Sequence, residues 1–413
     1  MPRIDLLELW LGGIVIGWVS RHDGRIGVRF SDEWRAMPGR RTFSLSVEET
    51  ALADVRATPH LPVWFENLLF EGELRRWMEE SEPEIAGDDM AFLERIGGDL
   101  LGAATVRVAK GAGEAIDADD RLVGGRRPPS GPLHWSLAGV QLKLNVNATQ
   151  GRYTVPVRGE LGHFIAKFSD RKFELVPEVE HATMLWSAAA GIDTAAVSLV
   201  DAKEVDEIPH EVQVAGDKAL IVKRFDRSTT AAIHAEEFAQ ALGIRPRDKY
   251  GGRGWRRHLQ LVDRAFPEDL AEYLRRLVFV AVSGNSDSHH KNWSIVYPDG
   301  RRPRLAPAYD QVATVMWAGG PRAFRDALAF KMVNSMRWED LTANAIVHEC
   351  RKAQITVVRN GQRELPVEEL ESWIRVEAAR QRDLACVATD RIGSRLTRAL
   401  QRHWDRMPLM RGD

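Results

Sequence analysis

The hydrophobic pattern of the chain changes character near residue 234, and no other feature restricts its fold so much. Before that point, runs of alternating apolar residues recur with a few helical stretches between them. Beyond it, apolar residues return every three or four positions. Segregating strands from helices in this way places the chain in the α+β class. Its 413 residues exceed one simple core and predict two or three domains.

The first domain is a small α+β module. "ELWLGGIVIGWVSR" and "RIGVRFSDEW" read as strands, and "RHDGR" between them carries an Asp-Gly turn. "WFENLLFEGELRRWMEE" and "DDMAFLERIGGDLLGA" read as helices. "GGRRPPSGP", residues 124–132, is a loop or linker. A β-rich lobe follows. Leu142, Leu144 and Val146 share one face of a strand, and Tyr153, Val155 and Val157 share one face of the next. "GHFIAKF" and "KALIVKRFDR" are further strands, with the helix "PEVEHATMLWSAAAGI" between them. The last part is helical, with "HAEEFAQALGI", "EDLAEYLRRLVFVAV" and "VEELESWIRVEAARQRDLACVA" as its helices. The expected boundaries are 1–120, 121–230 and 231–413.

Composition excludes several classes. A formal net charge of −2 carries no polycation signal for nucleic acid, although "GRGWRRH" and "RRPRL" form local basic clusters. Two cysteines, Cys350 and Cys386, do not make a disulfide framework and fit a reducing compartment. "LLELWLGGIVIGWV" is interrupted by Glu8 and two glycines, lacks signal-peptide flanks and is too short and polar to span a bilayer. The expectation is a cytoplasmic protein with no membrane contact. No G-x-x-x-x-G-K-[ST] and no G-x-G-x-x-G is present.

"VSGNSDSHHKNWSI", residues 282–295, sets a dense polar loop between two apolar segments, which hold such a loop rigid. Asp287 precedes Asn292 by five positions, the spacing of the protein-kinase catalytic loop, and Asp310 follows in "RLAPAYDQVAT". Phosphoryl transfer needs hard oxygen donors for magnesium, which Asn292 and Asp310 offer. It also needs a separate carboxylate to take the proton of the attacking hydroxyl, which Asp287 offers. The spacing alone leaves other readings open. Asp287 and Asn292 are also turn-capping residue types. Asp287, His289 and Asp310 would also suit a metal-dependent phosphoesterase. His289 suits a hydrogen bond that fixes the loop, and Lys291 suits either transferred phosphate or solvent. Lys167, amid apolar strand neighbours, needs a partner if buried, and Glu180 is a candidate; at an edge its amine would reach water. In "WSLAGVQLKL" the small residues Ser136, Ala138 and Gly139 let backbone N–H groups approach phosphates.

"SLAGVQLKL", "GHFIAKF", "LIVKRFDR", "HAEEFAQALG", "GNSDSHHKN" and "LAPAYD" occur in the order seen in HipA-type serine/threonine kinases, the toxins of bacterial toxin–antitoxin pairs. "LWLGGIVIGWVSR" and "FENLLFEGELRRW" resemble that family's amino-terminal module. The resemblance implies a two-lobed protein-kinase-like fold with that module added, and ATP and Mg2+ as cofactors. By motif match Asp287 is the catalytic acid, Asn292 and Asp310 are metal ligands, and Lys167 is the phosphate lysine. Residues 137–143 (Leu137, Ala138, Gly139, Val140, Gln141, Leu142, Lys143) resemble the loop over the phosphates, and backbone near Lys223 and Phe225 the adenine hinge. Ser136 matches the self-phosphorylated serine. Two positions depart from the pattern: Leu142 stands where the family has an acid, and Lys223 where the hinge often begins with one. The implied partners are a small helix-turn-helix antitoxin of HipB type, DNA through that antitoxin, and a protein substrate such as an aminoacyl-tRNA synthetase. A kinase-like co-repressor and a small-molecule kinase are the alternatives.

Overall fold

In a computed structural model of the chain, which describes residues 4–109, 142–156, 160–169, 173–206, 208, 215–252, 254–319, 324–361 and 363–411, the early alternation becomes an antiparallel meander. Strands β1 (Leu6–Leu11), β2 (Ile14–His22) and β3 (Arg25–Phe30) pair in sequence, and Asp23 and Gly24 turn β2 into β3 in the left-handed region. With β4 (Val55–Thr58) and β5 (Ala104–Val108) they form a sheet of order β4-β3-β2-β1-β5.

"WFENLLFEGELRRWMEE" is not the single helix its spacing suggests. A turn at Val63–Glu66 is separated from α1 (Gly72–Ser81). Leu68, Leu69 and Phe70 are consecutive and all buried. One helical stripe cannot bury three neighbours in a row, so the chain leaves the helix there and re-enters through Gly72 at φ +65°. In α2 (Asp89–Ile96) the Asp88 side chain accepts from the N–H groups of Met90 and Ala91 and holds Arg21 at 2.8 Å.

Five neighbouring strands of a six-stranded second sheet are β6 (Lys143–Thr149), β7 (Arg152–Thr154), β8 (Phe164–Ser169), β9 (Val205–Asp206) and β10 (Ala215–Lys223), ordered β9-β7-β6-β8-β10. Its Leu144, Val146, Ala166, Phe168 and Ile221 join Leu7, Leu9, Phe43 and Phe92 in one continuous apolar core. Chain contacts accordingly gather residues up to 170, 200–236 and 297–301 into one unit, and 171–199, 237–296 and 302–413 into another.

"HAEEFAQALGI" also departs from the helical expectation. His234–Glu237 is a strand, β11, followed by a single turn at Phe238–Ala241. Glu236 is buried and accepts from Ser44 Oγ, Leu45 N, Trp64 Nε1 and Tyr297 Oη, which fixes the segment extended. The helical turn starts only where Glu237 and Gln240 form a capping box.

The second unit is mainly helical: α3 (Val176–Ala189), α4 (Gly254–Ala265), α5 (Leu270–Ser283), α6 (Ala343–Lys352), α7 (Leu370–Asp383), α8 (Cys386–Ile392) and α9 (Ser394–Arg406). Residues 277–283 of α5 are buried on every side, the mark of a core helix. His403 and Trp404 of α9 hydrogen-bond the carbonyls of Ala281 and Val282, and Trp186 of α3 packs edge-on against Phe279. After α5 come the loop 284–293, then β12 (Ser294–Tyr297), which pairs with β13 (Arg304–Leu305) through Ile295 and Leu305. The thiols of Cys350 and Cys386 are free. Among the described residues no helix is long and apolar enough to cross a membrane.

Candidate active site

α5 ends at Gly284, whose φ is +64° and whose Cβ, if present, would lie 2.2 Å from Val315. Glycine is required twice over at this point, by backbone conformation and by close approach. The chain then folds tightly on itself. Asp287 N–H donates to Asn285 Oδ1 at 3.0 Å, and the carbonyl of Asp287 accepts from His289 N–H at 2.8 Å and from Asn292 Nδ2 at 2.8 Å. Committing the Asn292 nitrogen inward leaves Oδ1 as the end of that amide available to a cation. Of residues 282–295, Asp287 alone is not buried.

Asp310 is tied to the same loop by its neighbours. Its backbone is left-handed at φ +51°, a conformation Asp tolerates better than most residues. The Tyr309 hydroxyl donates to Lys291 O at 3.0 Å and accepts from Ser294 Oγ at 2.6 Å. Thr314 Oγ1 donates to Gly284 O at 2.9 Å and accepts from the N–H of Ser286 at 2.8 Å. Asn285 Nδ2 reaches Asp310 O at 3.4 Å. The segments carrying Asp287, Asn292 and Asp310 are therefore laced into one framework. No group of three or more His, Cys, Asp or Glu suited to a metal occurs among the described residues, so Asp287, His289 and Asp310 do not form the phosphoesterase ligand set.

Behind the loop lies an aromatic cage. His290 Nδ1 and His258 Nε2 are 2.7 Å apart, and His290 Nε2 is 3.4 Å from Gly251 O. His290 therefore donates to the carbonyl while His258 donates to His290. Phe330 lies 4.4 Å and 5.6 Å from the two rings, and Trp293 and Tyr273 flank His258. Burial pushes the His290 imidazole down to about 4, and burial beside His290 holds His258 well below its ordinary value. Both rings are neutral at neutral pH. The Lys291 ammonium is buried too and lies 3.6 Å from the Glu237 carboxylate, not in open solvent. In front of the loop the Tyr250 hydroxyl donates to Asp287 Oδ1, and its ring meets the His289 ring edge-on at 5.0 Å.

The other unit carries the remaining candidates. Lys143 on β6 and Lys167 on β8 stand opposite each other in the antiparallel register, and both are buried. Like charges facing each other across a sheet are unfavourable without an anion or other partners nearby. Lys167 is thus a buried residue and not an edge one. Leu142 packs against the core, filling with apolar volume the position where an acid was expected. Lys223 ends β10 and is exposed, while Phe225 is half-buried against the core. Ser136, Leu137, Ala138, Gly139, Val140 and Gln141 lie outside the described residues.

The family models decide what this chain is. The HipA N-terminal domain matches residues 7–107, and the HipA-like C-terminal domain matches residues 135–375. The chain belongs to the HipA family. A Sinorhizobium fredii relative named "Putative kinase Y4dM" is 33% identical over 365 residues, 86% of this chain and 88% of that protein. A second from the same organism, "Putative kinase Y4mE", is 29% identical over 347 residues, 76% of this chain and 78% of its own length. In fold the chain is similar to Shewanella oneidensis HipA, solved with HipB and its operator DNA. The TM-score is 0.69 at 21% identity, covering 98% of this chain and 96% of that one. Sequence reasoning in this HipA-family chain missed Tyr250, Thr314, His258 and the bracing role of Tyr309. Tyr309 and Thr314 stood inside "RLAPAYDQVAT" and His258 inside the basic cluster "GRGWRRH", but no local pattern marked their partners; Tyr250 stood in no quoted stretch.

Proposed function

We propose that this HipA-family protein is an ATP- and Mg2+-dependent serine/threonine protein kinase, the toxin of a toxin–antitoxin pair. The observation that carries the reading is the laced framework: one acid shown to solvent, with an amide oxygen and a second acid held on adjoining segments. Bound Mg2+-ATP supplies a transferable phosphoryl group and neutralises its charge. Asn292 Oδ1 and the Asp310 carboxylate are hard oxygen donors, the set such a cation needs. Asp287 orients the acceptor hydroxyl and takes its proton on the carboxylate. Lys143 and Lys167 hold phosphate oxygens. Backbone near Lys223 and Phe225 contacts adenine.

The protein substrate in this reading is a translation component such as an aminoacyl-tRNA synthetase, with Ser136 as the site of self-phosphorylation. A small helix-turn-helix antitoxin of HipB type binds the protein and brings it to DNA. Two-lobed kinase architecture is part of the same proposal. The test is phosphoproteomics after expressing the wild type beside Asp287→Ala, with intact-mass measurement of the purified protein after incubation with Mg2+-ATP. New phosphosites that depend on Asp287, and one phosphate on Ser136, are expected. Failure of the wild type to bind Mg2+-ATP in calorimetry would sink the kinase reading and leave a binding module.

A further inference from the structure

A second buried polar cluster lies behind the segment assigned to adenine. Asp99, from the link between α2 and β5 in the amino-terminal module, accepts from Arg224 Nη1 at 2.9 Å and from Arg227 Nη2 through Oδ1. Its Oδ2 accepts from Asn145 Nδ2 of β6 at 2.6 Å and from Gly162 N–H at 3.1 Å. Arg224 Nη2 also reaches Leu100 O at 2.9 Å and Asp226 Oδ2 at 2.8 Å. Arg227 reaches Leu100 O and Gly102 O at 2.8 and 3.0 Å. Gly102 N–H returns the connection to Asp226 Oδ2 at 2.8 Å. The four charged side chains are at most 3% exposed and their charges cancel.

These arginines cannot be phosphate ligands, because their guanidinium groups are spent on carboxylates and carbonyls beneath the surface. They flank Phe225 on both sides in sequence. The backbone from 224 to 227 is therefore held by residues 99–102, which lie some 125 positions earlier in the chain.

We propose that Asp99 is a positioning residue for nucleotide binding. Through Arg224 and Arg227 it fixes the backbone that meets adenine, so the amino-terminal module forms part of the nucleotide site although none of it touches the ligand. This rests on the kinase reading above. A fixed hinge offers its N–H and C=O groups at one spacing, whereas a loose one has to be ordered by the ligand and binds more weakly. Asp99 meets the strand of Lys143 only through the Asn145 side chain, whereas it holds residues 224 and 227 through both arginines, so the larger effect falls on the adenine end.

The test uses the full chain and two probes, Mg2+-ATP and Mg2+-tripolyphosphate, titrated by calorimetry. Asp99→Asn is expected to weaken ATP about tenfold, the scale of one lost charge-assisted hydrogen bond, and tripolyphosphate by no more than about twofold. Should Asp99→Asn fail to fold by circular dichroism, Arg227→Lys keeps the charge while losing the fork to Leu100 and Gly102, and the same selective loss is expected at smaller size. Equal weakening of both probes, or unchanged ATP binding by a folded variant, would overturn the inference and leave the kinase reading intact. A wild type that binds neither probe overturns both.

Discussion

Each unit of this protein braces its candidate site with a buried polar cluster, and the two clusters work by opposite electrostatics. In one, Arg224, Asp226 and Arg227 of the segment 224–227 meet Asp99, fully charged and mutually cancelling. In the other, His290 of the loop 287–292 meets His258 in an aromatic cage, both neutral. The charged cluster is rigid because breaking any pair strands a buried ion. The neutral one packs against rings at little desolvation cost, but it tolerates no added proton. The contrast predicts that the two units respond differently to mutation and to acid.

The largest effect is expected where neither cluster is touched. Asp287→Ala and Asp310→Ala should each cut phosphate transfer by on the order of a hundredfold or more, measured with labelled ATP. Melting should change little, since Asp287 and Asp310 are only partly buried. Wild-type turnover in either variant would remove the role assigned to that residue.

Next in size is the charged cluster. Arg224→Met leaves Asp99 and Asp226 facing only Arg227, and about 3–5 kcal/mol of stability should be lost in denaturant unfolding. A smaller loss than that of an ordinary surface substitution would mean that the cluster does not brace its unit.

Acid should then separate the units. The His290 ring is neutral when folded because burial lowers it from 6.5 to about 4, whereas the unfolded chain takes up a proton near 6.5. Unfolding thus binds protons between those values, and stability falls as pH drops from about 6.5 to 4, by roughly 3 kcal/mol for this ring. Burial raises the Asp226 carboxyl, but Arg224 and Arg227 outweigh it and hold the group at about 2. Its contribution is present above the ordinary carboxylate range and disappears only as pH falls toward 2. Hydrogen exchange followed by mass spectrometry should show peptides around 255–293 opening first as pH is lowered, with those around 99–102 and 224–227 protected to lower pH. The reverse order would refute the contrast.

The smallest effect is expected at Tyr250. It is more than a third exposed, so its hydrogen bond to Asp287 is discounted for solvent. Tyr250→Phe should lower kcat/KM a few-fold, because the acid loses the hydroxyl that holds its Oδ1 in place. An unchanged kcat/KM would show that the hydroxyl does not position the acid.

Local features were legible in the sequence. The Asp-Gly hairpin, the apolar second half of α5 and the polar loop with its five-residue spacing all arise from patterns within one stretch of chain. The two misread helices fail for a shared reason. In "LLF" and "HAEE" the direction in which side chains are buried is set by distant partners such as Phe92, Ser44 and Trp64, and short runs look alike in either period. The buried clusters were invisible because their members come from far apart: Asp99 with Arg224 and Arg227, His258 with His290. Nothing in "GGDLLG" marks its aspartate as a partner of two arginines in another domain's strand end.

The partial exposure of Asp287 amid an otherwise covered loop has a further consequence. The stretch contains histidines, a lysine and amides, yet an approaching molecule meets one acid from it. The loop's chemical identity toward solvent is thus simpler than its composition. Substitutions among the hidden positions would alter where that acid points before they altered what the visitor encounters.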